Sequence, residues 1–314
     1  MSIATLFEIV LAAVVLGLAI WTITVPETYS ATVGFVAYGL LVALIWVRLD
    51  AVDVALTEAA IGGGLGGVVL LGAAARLRDA EAMAAERSSP IVRLTAALLS
   101  ASIAAALGLA ILLLPDPAPT LAPAVVSNAG ATGLGNAVTN VLMAFRGMDT
   151  MLEKVVLLLA LVGVWSLASD RAWGGRPGPR HQADPNGVLA FLARLLPPAG
   201  IVVGIYILWT GADHPGGAFQ GGAVLASMWL LVIMAGLADT PPVSSRWLRL
   251  ILVAGPGLFL VIGLGGLCFG AAFLAYPIAF AKPLILGIEV AMLLTIAATL
   301  ALLLVGAPER SASR

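Results

Sequence analysis

The sequence predicts an all-α integral membrane protein of about nine transmembrane helices, on three observations. Of its 314 residues, 61% are hydrophobic and 11% charged, less than half the roughly 25% charge of an ordinary soluble domain. Mean hydropathy is +1.07, and a soluble globule of that composition would expose apolar patches large enough to aggregate. Nine apolar runs come close to the roughly 20 residues that a helix needs to cross a bilayer.

The runs lie near 6–25, 31–48, 53–75, 92–114, 151–169, 192–210, 219–238, 248–273 and 283–305. The first lacks a positive flank and a small-residue cleavage site, so it is expected to be a span rather than a removed signal. Alternation of nine helices puts twelve basic residues on one side: Arg76, Arg78, Arg87, Arg93, Arg171, Arg176, Arg180, Arg194, Arg246, Arg249, Arg310 and Arg314. Four remain on the other: Arg48, Arg146, Lys154 and Lys282. The positive-inside rule then places the N-terminus outside and the C-terminus in the cytoplasm.

Three segments are expected. Residues 1–85 supply three helices. Residues 86–187 hold two spans separated by a turn containing Pro115, Pro117, Pro119 and Pro123, then a polar stretch with Asn128, Asn136, Thr139 and Asn140. That stretch is too polar to face lipid and suits a short helix packed on protein or lying at the outer interface. The segment closes with the Gly-, Pro- and Arg-rich linker 170–187, a boundary signal. Residues 188–314 supply four more helices. Glycine spacings at Gly62–Gly67, Gly217/Gly221 and Gly266/Gly270 permit close helix approach within lipid.

Composition and motifs exclude several functions. Sixteen basic and 17 acidic residues give a net charge of −1, which offers nucleic acid no electrostatic footprint. Cys268 is the single cysteine, so neither an intrachain disulfide nor a cysteine metal cluster can form. His214 and His181 stand far apart in sequence, without zinc spacing. No hydrolase, zinc-protease or phosphate-loop motif occurs, so neither a catalytic centre nor a cofactor is expected.

Ionisable groups within the apolar runs carry the functional signal, because each costs roughly 2.5–3.5 kcal/mol to insert. Glu58 lies in the third run and Glu289 in the ninth. Asp149, Glu153 and Lys154 open the fifth, while Asp213 and His214 precede Pro215-Gly216-Gly217-Ala218-Phe219-Gln220-Gly221-Gly222. Asp53 and Glu58, five residues apart, diverge by roughly 140° on a regular helix and cannot pair. Asp149 and Glu153 share a face, where they repel unless Arg146 or Lys154 neutralises one. The proline-glycine stretch reads equally as a tight turn anchored by Phe219 or as non-helical backbone lining a wet space. Together these groups predict an outward-facing polar vestibule, closed toward the cytoplasm by apolar, glycine-packed helix.

At these residues the chain resembles the Mrp-type multisubunit Na+/H+ antiporters. Pro215–Gly222 is similar to the PGGGFQGG stretch of their MnhB-like component, with Ala218 replacing the third glycine. Asp53…Thr57-Glu58-Ala-Ala-Ile-Gly62 resembles the MbhD-like module in the C-terminal region of the largest Mrp component, which membrane-bound hydrogenases share. Asn140…Phe145-Arg146-Gly147-Met148-Asp149-Thr150-Met151-Leu152-Glu153 resembles the adjoining MbhE-like module. The large antiporter-like domain preceding these modules in that component is absent from this sequence.

The resemblance implies an accessory membrane subunit in a prokaryotic cell membrane. Its partners would be the other subunits of a Mrp-like complex, including proton-translocating subunits like those of complex I. It also implies sodium or proton movement past Glu58 and Glu153, with transient Na+ at either as the one metal interaction. Asp53, Asp149, Lys154, Glu289 and Lys282 complete the ion-pathway set expected here. Two alternatives stay open: a scaffold whose acids only hold helices together, and the equivalent component of a hydrogenase or another complex I-related assembly.

Overall fold

A computed structural model describes residues 2–83, 89–117, 119–179, 181, 184–269 and 272–309, with the side chains of 78–83 and 269 outside that description. Of the arginines that set the expected orientation, Arg87, Arg180, Arg310 and Arg314 lie outside the described residues, as does the side chain of Arg78.

The described chain is helical nearly throughout. Helices α1 (Ile3–Thr24) and α2 (Thr28–Arg48) pack side by side, and α2 packs on α3 (Val52–Glu58) and α4 (Gly66–Met83). Between α3 and α4 the helix continues as a π-helical turn, Ala59–Leu65. Its glycines sit against α2: a Cβ on Gly39 would lie 3.0 Å from the Gly62 carbonyl carbon, and one on Gly63 would lie 2.8 Å from Leu40. Absent side chains let the two backbones touch, which replaces the missing hydrophobic drive between helices in lipid.

Helix α5 (Pro90–Leu112) is capped by the Ser89 hydroxyl, which accepts from Val92 N, and buries none of its side chains within this chain. The polar stretch forms short pieces instead of a span. They are α6 (Ala122–Asn128), a 3-10 turn at Ala129–Thr132, α7 (Ala137–Asn140) and a second π-helical turn at Val141–Phe145. Asn136 caps α7 by accepting from Val138 N and Thr139 N.

Helix α8 (Gly147–Trp165) leads into the linker, and α9 (Val188–Thr210), α10 (Ala218–Met234), α11 (Arg246–Phe269) and α12 (Ala281–Val305) form a bundle. Its core is α12, where Ile285, Ile288, Met292, Leu293, Ile296, Ala301 and Leu302 are buried against α10, α11 and α8. Close approach of α10 depends on glycine, since a Cβ on Gly221 would lie 2.5 Å from the Gly204 carbonyl oxygen of α9. One on Gly222 would lie 2.8 Å from Ile296 of α12.

Seven helices among the described residues are long and apolar enough to cross a bilayer, fewer than the nine expected. The difference has physical causes. Helix α10 is apolar but only 17 residues long, because Gly236 turns the chain away at φ +66° two residues past its end. Helix α8 carries Asp149, Glu153 and Lys154 in its first two turns, which lowers its apolar content.

Candidate functional site

The three segments meet around one cavity of about 180 Å³. Asp53 and Thr57 reach it from α3, Thr150, Glu153 and Lys154 from α8, Gly216 and Gly217 from the turn before α10, Ala218, Phe219 and Gln220 from the start of α10, and Glu289 from α12. Acids far apart in sequence therefore share one space.

Asp53 is the joint. It is 7% exposed. One carboxylate oxygen accepts from Gly216 N at 2.8 Å, and the other accepts from Asn136 Nδ2 at 3.4 Å. Asn136 Nδ2 also donates to the His214 carbonyl at 2.9 Å. Gln220 Nε2 donates to the Asp53 carbonyl at 3.4 Å and to Thr57 Oγ1 at 3.2 Å. Asp53 thus ties α3 to both later segments through neutral donors. Buried polar groups require such partners.

The proline-glycine stretch is a turn and a lining at once. Gly216 and Gly217 take φ +147° and +129°, a region that L side chains rarely adopt. That conformation aims Gly216 N at Asp53 and starts α10 at Ala218. Non-helical backbone at this depth is tolerated because it is buried in protein beside a polar space.

Lys154 is 3% exposed and pairs with the half-exposed Glu153 at 2.6 Å, while its ammonium sits 5.0 Å from the Phe219 ring centre. Cation–π contact of this kind gains strength where water is excluded. Phe219 therefore holds a cation as well as anchoring the turn. Glu289 is 4% exposed. Its carboxylate accepts from Ala218 N, and Oε2 has no hydrogen-bond partner among the described residues.

Other expected residues lie elsewhere. Glu58 is half-buried but folds back along its own helix over Gly62, where a Cβ would come within 2.3 Å of Glu58 Oε1. It does not line the cavity. The separation of Asp53 from Glu58 follows the angular argument made from sequence. Asp149 pairs with Arg146 at the exposed mouth of α8, so each acid of that helix has its own cation. His214 contributes its backbone carbonyl, and no cluster of metal-ligating side chains occurs among the described residues. Gly221 and Gly222 serve helix packing.

Asp213 and Lys282 form a second contact outside the cavity. Lys282 Nζ donates to both Asp213 oxygens at 2.8 and 2.9 Å, and Gly135 N donates to Oδ1 at 3.0 Å. Lys282 first, then the Gly135 amide, holds the Asp213 carboxyl below the usual carboxylate range. A depressed folded value stabilises the fold above the unfolded value of about 3.9 and loses that stabilisation as pH falls through the folded value. The thermal midpoint of the wild type is accordingly expected to drop on acidification below about pH 4, and more steeply than that of Asp213→Asn. Parallel acid limbs in the two would show that this contact contributes nothing.

Asn136 and Thr139 are legible in sequence as polar residues out of place, and Asn140 and Thr150 as parts of the MbhE-like stretch, but none of their contacts is. In the structure Thr139 Oγ1 donates to the Gly211 carbonyl at 2.7 Å, and Thr150 Oγ1 to the Leu142 carbonyl at 2.6 Å within the π-helical turn. Asn140 bonds Thr132 and the Leu134 carbonyl. These contacts hold the polar stretch as a wedge between the first and last segments.

The chain is similar to several known proteins. Residues 188–307 match a family described as a domain related to the MnhB subunit of Na+/H+ antiporter. Residues 13–79 match the MbhD family, described as the D subunit of MBH. Among curated proteins, the B subunit of the Na(+)/H(+) antiporter of Bacillus subtilis (strain 168) is 34% identical over 90 residues, 28% of this chain and 62% of that protein. A chain of the Mrp complex from Dietzia sp. DQ12-45-1b superposes with a TM-score of 0.73 at 25% identity, covering 97% of this chain and 35% of that one. A chain of the archaeal membrane-bound sulfane sulfur reductase superposes at 0.53 with 26% identity, covering 68% of this chain and 98% of that one. This chain thus spans under two thirds of the Bacillus relative and about a third of the Dietzia chain.

Proposed function

We infer that this chain, which joins an MbhD-related segment to an MnhB-related domain in one multi-pass membrane protein, is a membrane subunit of a Mrp-type cation/proton antiporter in a prokaryotic cell membrane. It contributes an ion pathway and docks pump-like subunits. The observation carrying this reading is the cavity that draws Asp53, Glu153, Lys154 and Glu289 from three segments into one space. Paired and hydrogen-bonded ionisable groups inside membrane helices mark ion or proton routes by default. The Mrp complex superposition over 97% of the chain supports the same assembly. The division at 1–85, 86–187 and 188–314 fits the element order, with the middle segment as the MbhE-like module. Transport, not catalysis, is its role.

In this reading α8 and α10 complete nine spans, with the N-terminus outside and the C-terminus in the cytoplasm. The twelve-to-four split of basic residues supports that orientation. The cavity mouth then faces outward. Glu58 lies beside the route at the α2 contact.

The test is reconstitution. The complex with its partner subunits should exchange Na+ for H+ in proteoliposomes, and this chain alone should not. Exchange by the chain alone, or full exchange by a complex lacking it, would sink the reading. A cysteine at exposed Ser127, in a Cys268→Ala background, should react with an impermeant thiol reagent from outside; reaction from the cytoplasmic side alone would reverse the orientation.

A further inference from the structure

The cavity carries an imbalance of charge. Three carboxyl groups line it, from Asp53, Glu153 and Glu289, against one ammonium from Lys154. Asp53 spends both oxygens on neutral donors, and Glu153 takes Lys154. Among the described residues Glu289 has one backbone N–H partner, and no donor reaches its Oε2. A buried, unpaired carboxylate is among the most costly groups a protein can hold, so such groups take up a proton, pair with a cation or coordinate one.

The surroundings of Glu289 suit a small cation. Gln220 turns its amide nitrogen toward Asp53 and Thr57, which leaves its carbonyl oxygen on the Gly217 side. A Cβ on Gly217 would lie 3.4 Å from Glu289 Oε1 and 3.5 Å from Gln220 Oε1. The Glu289 carboxylate, through Oε1, and the Gln220 carbonyl oxygen therefore both lie beside backbone that carries no side chain, and the unpartnered Oε2 belongs to that same carboxylate. Hard cations take oxygen ligands of this kind. Among the described residues, the other ionisable groups lining this space are Glu153 and Lys154 of α8, which packs against α12, and Asp53 of α3; α9, α10 and α11, also packed against α12, contribute none. The buried ammonium of Lys154 repels a second positive charge, and a single uncompensated carboxylate matches a single one.

We propose that Glu289 and Gln220, over the bare backbone of Gly217, form a seat for one partly dehydrated monovalent metal cation of the size and hardness of Na+. The seat rests on the ion-pathway reading and sharpens it, because it names the position where the cation sheds water. A cavity of about 180 Å³ leaves room for several waters to complete the coordination, each taking roughly 30 Å³ of liquid volume.

Equilibrium binding of radioactive Na+ to the purified complex tests this, with choline holding ionic strength constant. Wild-type complex should show a saturable site that Glu289→Gln weakens by about tenfold or more, a loss of roughly 1.4 kcal/mol. Gln220→Leu, which keeps the carboxylate, should weaken it several-fold. An assembled Glu289→Gln complex binding Na+ with unchanged number and affinity overturns the seat. If Glu289→Gln does not assemble, unchanged affinity in Gln220→Leu overturns it equally. Antiport assayed on the same wild-type preparation separates the two failures. Exchange without a Glu289-dependent site removes the seat alone, and a Glu289-dependent site without exchange removes the antiporter reading alone.

Discussion

Replacing Asp53 by leucine should lower the thermal midpoint of the complex. Leucine has the same number of side-chain heavy atoms, with bulkier methyls in place of the oxygens, and offers no acceptor. Gly216 N would lose its partner in the protein interior, and Asn136 Nδ2 would keep only its bond to the His214 carbonyl. A buried donor left unsatisfied costs about 1–3 kcal/mol, and that cost falls mainly on Gly216 N. The loss falls on the contact between segments, since Gly216 belongs to the turn before α10 and Asn136 to the wedge before α7. Asp53→Asn separates acceptor from charge, because it keeps one carbonyl oxygen for Gly216 N and should lose much less. Scanning fluorimetry of the purified complex reads the difference. A leucine variant melting with the wild type would show that the joint is not where the stability lies.

That joint shows what the sequence could and could not reveal. The apolar runs predict helices because a bilayer leaves backbone groups no other partners, and the helices lie where the runs do. The repulsion of Asp149 and Glu153 on one helix face, and the need for Arg146 or Lys154 to relieve it, follow from helical spacing. The pairing of Lys154 with its neighbour Glu153 does not, because adjacent residues do not face each other on a helix. The convergence of Asp53 on Gly216 does not, because 163 residues separate them and no periodicity carries that information. Insertion cost and the resemblance together single out Glu58 in the first segment. Its carboxyl folds over Gly62, where the missing Cβ makes room for it, and no spacing announces that contact. The π-helical turns at Ala59–Leu65 and Val141–Phe145 left no mark in the hydrophobic pattern either. Adding one residue to a turn shifts faces without changing composition.

Lys154→Met should abolish cation exchange while leaving the complex assembled, and this contrast decides between pathway and scaffold. Methionine fills the same unbranched volume and can still lie against the Phe219 ring, 5.0 Å from which the ammonium now sits. The partner it abandons, Glu153, is half-exposed and can be solvated by water. Stability should therefore change little, since an ion pair with one solvated member contributes about 0–1 kcal/mol. Transport should respond differently. Without its one ammonium the cavity holds three carboxyl groups and no fixed cation, so a transported cation bound there has nothing to displace it. A fall of at least about tenfold in exchange rate corresponds to only about 1.4 kcal/mol in the barrier. The reciprocal change, Glu153→Gln, strands a 3% exposed ammonium without its counterion. Removing one member of a buried pair costs as much as about 3–5 kcal/mol, an upper bound here because Glu153 is solvated. Glu153→Gln should thus lose both midpoint and transport. The double variant Lys154→Met/Glu153→Gln should recover the midpoint and remain inactive. Exchange at the wild-type rate by Lys154→Met, in proteoliposomes carrying equal amounts of complex, would leave the cavity charges with a purely structural role.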